Sequence, residues 1–294
     1  YKERIEPLLN YYSRYNRYFF SKIAICKNCG HVQLYPVPKH RDYKKTNDRF
    51  FSSNYSGIKQ NVSNNEAKLK TLMQRLNPFI KKNMSVLDVG AGEGWALEYV
   101  QSLGAEYYAV ESVRSLANSI VNRGGRIVAK SIENLEKIDF SYDIIIFRHV
   151  LEHLINPQKM IKHIVSKLNN NGILYLALPD GSLSQFNKTF LRKGFRTSFI
   201  RPIHVSYFCK DNVNRIAIKA GLTPLVIEVE NEIYGIYKKN NATFEKNEYP
   251  KNNYKEIKKN YLHAYNVTKK NDNIKIFKDF PRAIIKRLTK INKD

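Results

Sequence analysis

Residues 86–94 read VLDVGAGEG, and this stretch decides the fold. Gly90, Gly92 and Gly94 stand at alternate positions directly after an apolar strand. In alternating α/β proteins, a glycine turn between a strand and its helix lets the backbone approach a ligand closely. The spacing is one residue shorter than the dinucleotide fingerprint, and the Lys-Ser or Lys-Thr pair of a P-loop does not follow. The loop is therefore predicted to approach an uncharged or zwitterionic group and not a pyrophosphate or ATP.

The stretch lies within a longer alternation of strands and helices. Five apolar strands separated by helices are predicted at residues 85–89, 107–111, 126–129, 142–147 and 172–178. Residues 224–230 and 232–237 are predicted as two further strands, which must pair antiparallel because their connection is so short. The sequence thus predicts an α/β fold with a doubly wound, mostly parallel seven-stranded sheet, similar to a Rossmann fold.

Three segments of different composition are expected along the 294 residues. Residues 1–60 form an N-terminal extension that contains a Cys-x-x-Cys pair, residues 61–237 form the α/β domain, and residues 238–294 form a basic, helical C-terminal tail. No apolar run is long enough for a transmembrane helix. The chain begins YKERIEPLLN, which is neither a start methionine nor a signal peptide, so we expect native residues before it. Three cysteines are too few for a disulfide framework, which favours the cytoplasm.

The formal net charge of +24 has several explanations. A basic surface is typical of proteins that bind nucleic acid or an anionic membrane, and the basic tail could make a peripheral membrane contact. The excess is mostly lysine, however, and it accompanies asparagine, isoleucine and tyrosine, whose codons are also rich in A and T. Phosphates of a nucleotide-linked sugar would be attracted as well, so the charge alone does not identify a partner.

Glu111 ends the second predicted strand, next to the glycine loop. A carboxylate at this place can accept hydrogen bonds from both hydroxyls of a ribose. An acidic residue for a ribose beside a loop without a phosphate cradle predicts a nucleoside ligand.

Several motifs together resemble class I S-adenosylmethionine-dependent methyltransferases. They are VLDVGAGEG, YYAVE, FSYDIIIFRHVLEHLINP, NNNGILYLALPD and HVSYFCKDNVNRIAIKAGLTPLVIE, within residues 62–237. The chain is most similar to the bacterial subgroup associated with polysaccharide and nucleotide-sugar biosynthesis, whose members carry a cysteine-rich segment before the domain. CKNCGHVQLYPVP resembles part of such a segment.

The resemblance implies a set of cofactor contacts. The methionine part would be bordered by Asp88, Gly90, Gly92 and Gly94, the ribose by Glu111, and the adenine by Ser112. Ser131 stands where the family usually has an aspartate for the adenine amine, so its hydroxyl, the Ile132 backbone or Glu133 would serve. Phe147 and Arg148 would lie near the sulfonium and its carboxylate, and Tyr55 would form a lid.

Histidines in and near RHVLEHL are the candidate catalytic groups. A sugar hydroxyl is a poor nucleophile and benefits from a base that takes its proton. We expect His149 to be this base, on a helix after the fourth strand whose face it shares with Glu152 or His153. His153 and His204 would orient the acceptor. A structural alternative is that His153 only pins this helix to a neighbouring loop.

Two metal sites remain as alternatives to metal-free chemistry. His149, Glu152 and His153, with His204 as a fourth ligand, have a spacing that could hold a divalent ion, which would acidify the acceptor hydroxyl. Cys26 and Cys29 form half of a zinc site, because a structural zinc requires four ligands. Free thiols are the default for this pair.

These inferences predict an S-adenosylmethionine-dependent O-methyltransferase that releases S-adenosylhomocysteine. The resemblance implies a sugar hydroxyl as acceptor, on a nucleotide-linked sugar or a precursor of a capsule or lipopolysaccharide glycan. An RNA methyltransferase is an alternative that the charge favours, and a non-catalytic subunit that binds S-adenosylmethionine is another.

Overall fold

The computed structural model describes residues 5–11, 21–44, 47, 62–184, 200–201, 203–240 and 253–268. The chain divides into two compact units. The sheet unit comprises residues 51–180 and 210–250, and the terminal unit comprises residues 1–50, 181–209 and 251–294. The two ends of the chain thus belong to one unit, together with an internal segment that the sequence analysis assigned to the α/β domain.

The strands and helices alternate through the sheet unit in the predicted manner. The strands of the chain are β1 Ile5–Tyr11, β2 Ser21–Cys26, β3 Val32–Tyr35, β4 Ser85–Val89, β5 Glu106–Val110, β6 Arg126–Ala129, β7 Tyr142–Arg148, β8 Leu168–Leu178, β9 Ser206–Tyr207, β10 Leu222–Val229 and β11 Ile233–Lys239. The helices referred to below are α1 Val62–Leu76, α2 Leu97–Ser102, α3 Arg114–Asn122, α4 Pro157–Ser166, α5 Lys210–Lys219 and α6 at residues 254–268, and residues 40–44 are also helical.

The sheet unit is built on a seven-stranded sheet with the strand order β10-β11-β8-β7-β4-β5-β6. Strands β4 to β8 pair parallel, β11 pairs antiparallel with β8, and β10 pairs antiparallel with β11. The predicted mostly parallel α/β sheet is confirmed. Val89 lies opposite both Val110 of β5 and Phe147 of β7. The carboxyl ends of these three central strands are therefore level, and the loops that follow them lie at the same edge of the sheet.

The central strands are buried because helices cover both faces of the sheet, which explains their continuous apolar sequences. Ile145, Ile146 and Phe147 of β7 have no exposed surface. Full burial of each such side chain stabilises the fold by roughly 1.5–3 kcal/mol relative to exposure. Leu72 and Leu76 of α1 belong to the same core cluster as Ile146. This packing makes the carboxyl edge of the sheet a firm base for the loops that follow.

The terminal unit contains a four-stranded sheet with the order β1-β2-β3-β9. All of its pairings are antiparallel. Its core joins the inward-facing residues Ile23 and Ile25 of β2 to Ile257 and Tyr261 of α6. Alternating burial along β3 agrees with a sheet that is covered on one side.

Within the described ranges, no helix combines the length and the apolar character needed to cross a bilayer.

Candidate active site at the carboxyl edge of the sheet

The glycine loop follows β4 and is held by the end of β5. The backbone N–H groups of Gly90 and Ala91 both donate to the carbonyl of Val110, at 2.9 and 3.2 Å. Gly90, Gly92 and Gly94 have φ values of 73°, 58° and 63°. Residues with a side chain rarely adopt this left-handed region, so the sharp turn explains why glycine recurs at alternate positions.

The three glycines differ in what a side chain would meet. A Cβ on Gly90 would lie 2.5 Å from Cγ2 of Val150, and a Cβ on Gly94 would lie 2.6 Å from Cγ1 of Ile120. Among the residues that the structure describes, a Cβ on Gly92 would meet nothing within 4 Å. The outer glycines are therefore packed against the fold, while no described residue fills the space in front of Gly92.

Glu111 braces this loop from the end of β5. It is 6% exposed, and its two carboxylate oxygens accept from the N–H groups of Gly92 and Val113, each at 2.7 Å. Burial raises the pKa of Glu111, and the backbone donors oppose that rise. Each carboxylate oxygen has a second lone pair, so the group can still accept hydrogen bonds from a ligand.

Asp88 lies beneath the loop in β4. Its carboxyl accepts a 2.8 Å hydrogen bond from the hydroxyl of Tyr107 in β5 and is 4% exposed. Burial raises the pKa of Asp88 to about 7, and the nearby charge of Glu111 adds to the rise. Asp88 thus belongs to the base of the loop.

Arg123, just after α3, ties down the outer end of the loop. Its guanidinium donates to the carbonyls of Glu93 and Gly94 and pairs with the carboxylate of Glu98 at 2.7 Å. The sequence analysis did not identify this contact. Because three partners hold one rigid guanidinium, the loop is fixed from outside as well as from below.

The turn after β7 carries His149 and corrects one expectation. His149 has a φ of 54°, its N–H donates to the carbonyl of Ala177 at 2.8 Å, and a short 3₁₀ turn follows at Leu151–His153. The prediction of a helix directly after this strand is wrong. Helix α4 begins only at Pro157, where Asn156 provides the N-cap and proline fixes the first turn.

Glu232 is the main residue that the sequence analysis missed. It lies in the short turn between β10 and β11, and its Oε2 is 2.7 Å from Nε2 of His149 and 2.9 Å from Nη2 of Arg148. Burial alone would raise the pKa of Glu232. The hydrogen bond from His149 and the charges of Arg148 and His149 instead lower it to about 2. Glu232 is 83 residues from His149 in the chain, so no local motif pointed to it.

Arg75 of α1 also contacts Glu232 and the residues around it. Its Nη1 lies 3.0 Å from Oε1 of Glu232 and 2.8 Å from the hydroxyl of Tyr175, and its Nη2 lies 2.8 Å from Glu230. The guanidinium also lies over the ring of Tyr234, 3.5 Å from the centroid. The turn that carries Glu232 is thereby fixed to the first helix of the sheet unit.

Glu152 is a buried carboxylate beside His149. It is 2% exposed, and its Oε1 lies 3.6 Å from Nδ1 of His149 and 3.8 Å from Nε2 of His153. Neither oxygen has a hydrogen-bond partner among the described residues. The grouping of Glu152 with both histidines therefore comes from the 3₁₀ turn and not from a helix face.

The remaining predicted residues have varied surroundings. Phe147 is a buried strand residue, and Arg148, besides its bond to Glu232, lies over the ring of Trp95 at 5.6 Å. Ser112 is exposed, Ser131 stands at the N-cap of a 3₁₀ segment, and Ile132 is 8% exposed within it. His204 belongs to the terminal unit. Tyr55 lies outside the described residues.

Cys26 and Cys29 flank a tight turn between β2 and β3. The N–H of Gly30 donates to the carbonyl of Cys26, and the N–H of Cys26 donates to the carbonyl of His31, both at 2.8 Å. Neither cysteine forms a disulfide within the described ranges, and both are partly exposed. Within the described residues, neither cysteine belongs to a group of three side chains close enough to share a metal ion.

Comparisons with known proteins agree with this geometry. Residues 62–227 match the family described as "Methyltransferase domain", which is more than half of the chain. A probable S-adenosylmethionine-dependent methyltransferase from Mycobacterium tuberculosis is 22% identical over 160 residues, which are 54% of this chain and 55% of that protein. The chain thus spans about half the length of this relative. A ubiquinone biosynthesis O-methyltransferase from Coxiella burnetii is 29% identical over 177 residues, 54% of this chain and 74% of the relative.

A solved structure shares the fold. It is the Burkholderia thailandensis 1,6-didemethyltoxoflavin-N1-methyltransferase with bound 1,6-didemethyltoxoflavin and S-adenosylhomocysteine. The TM-score is 0.54 at 17% identity, and the match covers 74% of this chain and 96% of that one. At this identity the likeness supports the architecture alone.

Proposed function

Since the chain belongs to the methyltransferase-domain family, we propose that it transfers the methyl group of S-adenosylmethionine to a hydroxyl oxygen of a small-molecule acceptor. The supporting observation is that two groups, each held in place by a carboxylate, lie at the same edge of the sheet. One is a glycine loop, open at Gly92 and braced by Glu111. The other is His149, braced by Glu232.

The residues of the loop fit S-adenosylmethionine. The space in front of Gly92 admits a ligand next to the backbone, and the buried Glu111 has free lone pairs for two ribose hydroxyls. The loop has no lysine for a phosphate, in keeping with a cofactor whose nucleoside carries none. When bound, this cofactor supplies a methyl group already activated by its sulfonium.

The role of the protein is then to align the acceptor and to receive its proton. Strands β4 and β7 are neighbours, and Gly90 packs against Val150 in the turn that carries His149. The proposed base therefore lies beside the proposed cofactor loop. Alignment of the reacting atoms supplies much of the rate, and a positioned base adds about 10²–10⁴-fold.

The proposed acceptor is a sugar hydroxyl, on a nucleotide-linked sugar or a surface-glycan precursor. Two observations support a phosphate-bearing sugar, and a third supports oxygen as the methylated atom. The sequence resembles the subgroup associated with polysaccharide biosynthesis, the net charge of +24 suits phosphate-bearing molecules, and the Coxiella relative is named an O-methyltransferase. S-adenosylhomocysteine is the second product.

Methyl-labelled S-adenosylmethionine tests the proposal with three acceptor pools: nucleotide sugars, small phenols and total RNA. Label in a small molecule that phosphatase treatment alters is the expected result. Label in RNA would overturn the acceptor and make the basic charge the decisive feature. Binding of the cofactor without label in any pool would contradict the proposed transferase activity and favour a non-catalytic subunit.

A chelator arm of the same experiment addresses the alternative of a metal. With His149 as the base, transfer is expected to continue at the same rate in excess EDTA. Loss of transfer that added Mg²⁺ restores would instead assign Glu152 and the neighbouring imidazoles to a divalent ion.

A further inference from the structure

The imidazole of His149 lies between two carboxylates at unequal distances. Nε2 is 2.7 Å from Glu232, whereas Nδ1 is 3.6 Å from Glu152. Hydrogen bonds from nitrogen to oxygen in proteins span about 2.7–3.2 Å. The first contact is therefore a short hydrogen bond, and the second is too long to be one.

The short contact fixes the place of the ring proton. Glu232 is ionised, because the guanidinium groups of Arg148 and Arg75 lie 2.9 and 3.0 Å from its oxygens. An ionised carboxylate only accepts hydrogen bonds, so the partner nitrogen must carry the hydrogen. The proton of a neutral His149 thus belongs on Nε2.

The long contact agrees with a lone pair on Nδ1. Both oxygens of Glu152 lack a hydrogen-bond partner among the described residues, although the carboxylate is 2% exposed. An N–H on Nδ1 would be attracted to that carboxylate and shorten the 3.6 Å distance. Because the two atoms are not hydrogen-bonded, Glu152 does not occupy the lone pair of Nδ1, which remains available to a hydroxyl proton.

We propose that Glu232 is a positioning residue, which holds the proton of His149 on Nε2 and leaves Nδ1 as the nitrogen that receives the acceptor's proton. This inference rests on the proposed function, since it names the reactive atom of the proposed base. In the step, the hydroxyl oxygen bonds to the methyl carbon and the carbon–sulfur bond breaks with its electron pair left on sulfur. The hydroxyl proton passes to Nδ1.

The charged groups around His149 support such a transfer. Glu152 and His153 come from its own turn, Arg148 precedes it in β7, and Glu232 reaches it from the β10–β11 turn. Once protonated, the ring would carry a positive charge between two carboxylates. Glu152 would then gain the hydrogen-bond donor that it lacks in the neutral state.

The direct test is the tautomer of His149, read from nitrogen-15 chemical shifts of the imidazole at a pH where it is neutral. The expected spectrum has a protonated Nε2 and an unprotonated Nδ1, with the signal assigned by its loss in His149→Gln. A proton on Nδ1 in the wild-type protein would overturn the proposal. This readout needs no acceptor, so it stands apart from the test of methyl transfer.

A matched pair of variants separates positioning from structural support. Glu232 and Glu230 lie in the same turn and both bind Arg75, but only Glu232 reaches His149. Glu232→Gln is expected to mix the two tautomers and to lower kcat by about tenfold or more, as loss of an orienting carboxylate does elsewhere. Glu230→Gln is expected to leave both unchanged.

The pH profile and the KM of the same variants complete the test. Because only Glu232→Gln removes a charge that contacts His149, its profile of kcat against pH should differ from that of Glu230→Gln. KM for S-adenosylmethionine should stay within about threefold, because Glu232 does not touch the glycine loop. Equal profiles and equal kcat for the Glu232→Gln and Glu230→Gln variants would contradict the proposal. If Glu232→Gln does not fold, Glu232→Asp keeps the charge and should retain the wild-type tautomer.

Discussion

The two halves of the candidate site are built in different ways. The glycine loop is held by groups close in the chain, since Glu111 is only 19 residues from Gly92 and bonds to its backbone. The His149 cluster is held by side chains from distant elements. Glu232 is 83 residues from His149 and 157 residues from Arg75.

This difference shows which kinds of site a sequence reveals. A backbone loop of this kind needs glycine at fixed positions, so it can be recognised in the sequence as a motif. A cluster of side chains needs only that the fold brings strand ends together, and it leaves no spacing to recognise. The glycine loop should therefore be disrupted by a side chain added at a glycine. The His149 cluster should be disrupted by removal of one functional group.

The largest effect is expected from removal of the base. His149→Ala should lower turnover by about 10²–10⁴-fold, the range that a general base contributes, and leave S-adenosylmethionine affinity nearly unchanged. Steady-state kinetics and calorimetric titration measure the two quantities. His163→Ala is the control, because that side chain lies on α4 and pairs with Glu136. A variant that keeps wild-type turnover would remove His149 from the mechanism.

A pair of alanine variants should separate packing from ligand space in the loop. Both Gly90→Ala and Gly92→Ala place a side chain at positive φ, which costs about 1–2 kcal/mol. Gly90→Ala also drives a Cβ to 2.5 Å from Val150, and such overpacking adds about 1–3 kcal/mol to the loss of stability. Chemical denaturation should therefore rank Gly90→Ala as the less stable variant.

Cofactor titration supplies the second arm of this comparison. The Cβ in Gly92→Ala meets no atom of the described part of the chain within 4 Å and points into the proposed ligand space. Gly92→Ala should lose affinity for S-adenosylmethionine out of proportion to its small loss of stability. Unchanged affinity would mean that the open space in front of Gly92 is not the cofactor site.

A smaller, pH-dependent effect is expected from Asp88→Asn. The folded-state pKa of Asp88 is about 7, above the usual 3.8. Ionised Asp88 therefore destabilises the folded state, and this loss of stability grows as pH rises from about 4 through 7. Asparagine cannot ionise and still accepts from Tyr107. The variant should be more stable than wild type at pH 8, by at most about 4 kcal/mol, and nearly equal at pH 4.

Asp143→Asn provides a control of opposite sign. Burial raises the pKa of Asp143, but hydrogen bonds from Ser85 and Asn169 outweigh it, so the folded-state pKa is lowered. Its stabilising contribution is present above the unfolded pKa and is lost as pH falls below it. Asp143→Asn should thus destabilise the protein at pH 8. If both variants respond to pH in the same direction, the assignment for Asp88 is wrong.

Most of the fold followed from the sequence. The continuous apolar strand at residues 142–147 and the glycine turn after residues 85–89 each have one reading in an alternating α/β chain. The antiparallel pairing of β10 with β11 followed from their short connection and is confirmed. The grouping of residues 181–209 with the two chain ends was not expected, because nothing in the composition of that segment separates it from the domain around it.

The candidate site was predicted only in part. Glu111 was expected at the end of its strand, and it lies there with its carboxylate on Gly92. The helix predicted at His149 was wrong. A spacing of three residues fits an α-helix, but the 3₁₀ turn that follows His149 also brings His149 and Glu152 together. Glu232 could not have been found, because a lone acidic residue in a tight turn is usually a solvated turn residue.

Titration of S-adenosylmethionine into wild type, Glu111→Gln and Glu106→Gln tests the central claim most directly. Glu106 begins β5, which ends one residue before Glu111, but its side chain is exposed, so Glu106→Gln is the matched control. We predict one site in the wild type and the control, and affinity weakened about 10–100-fold in Glu111→Gln, as expected for hydrogen bonds to a buried charge. Equal affinities in all three proteins, or no binding to the wild type, would contradict the account.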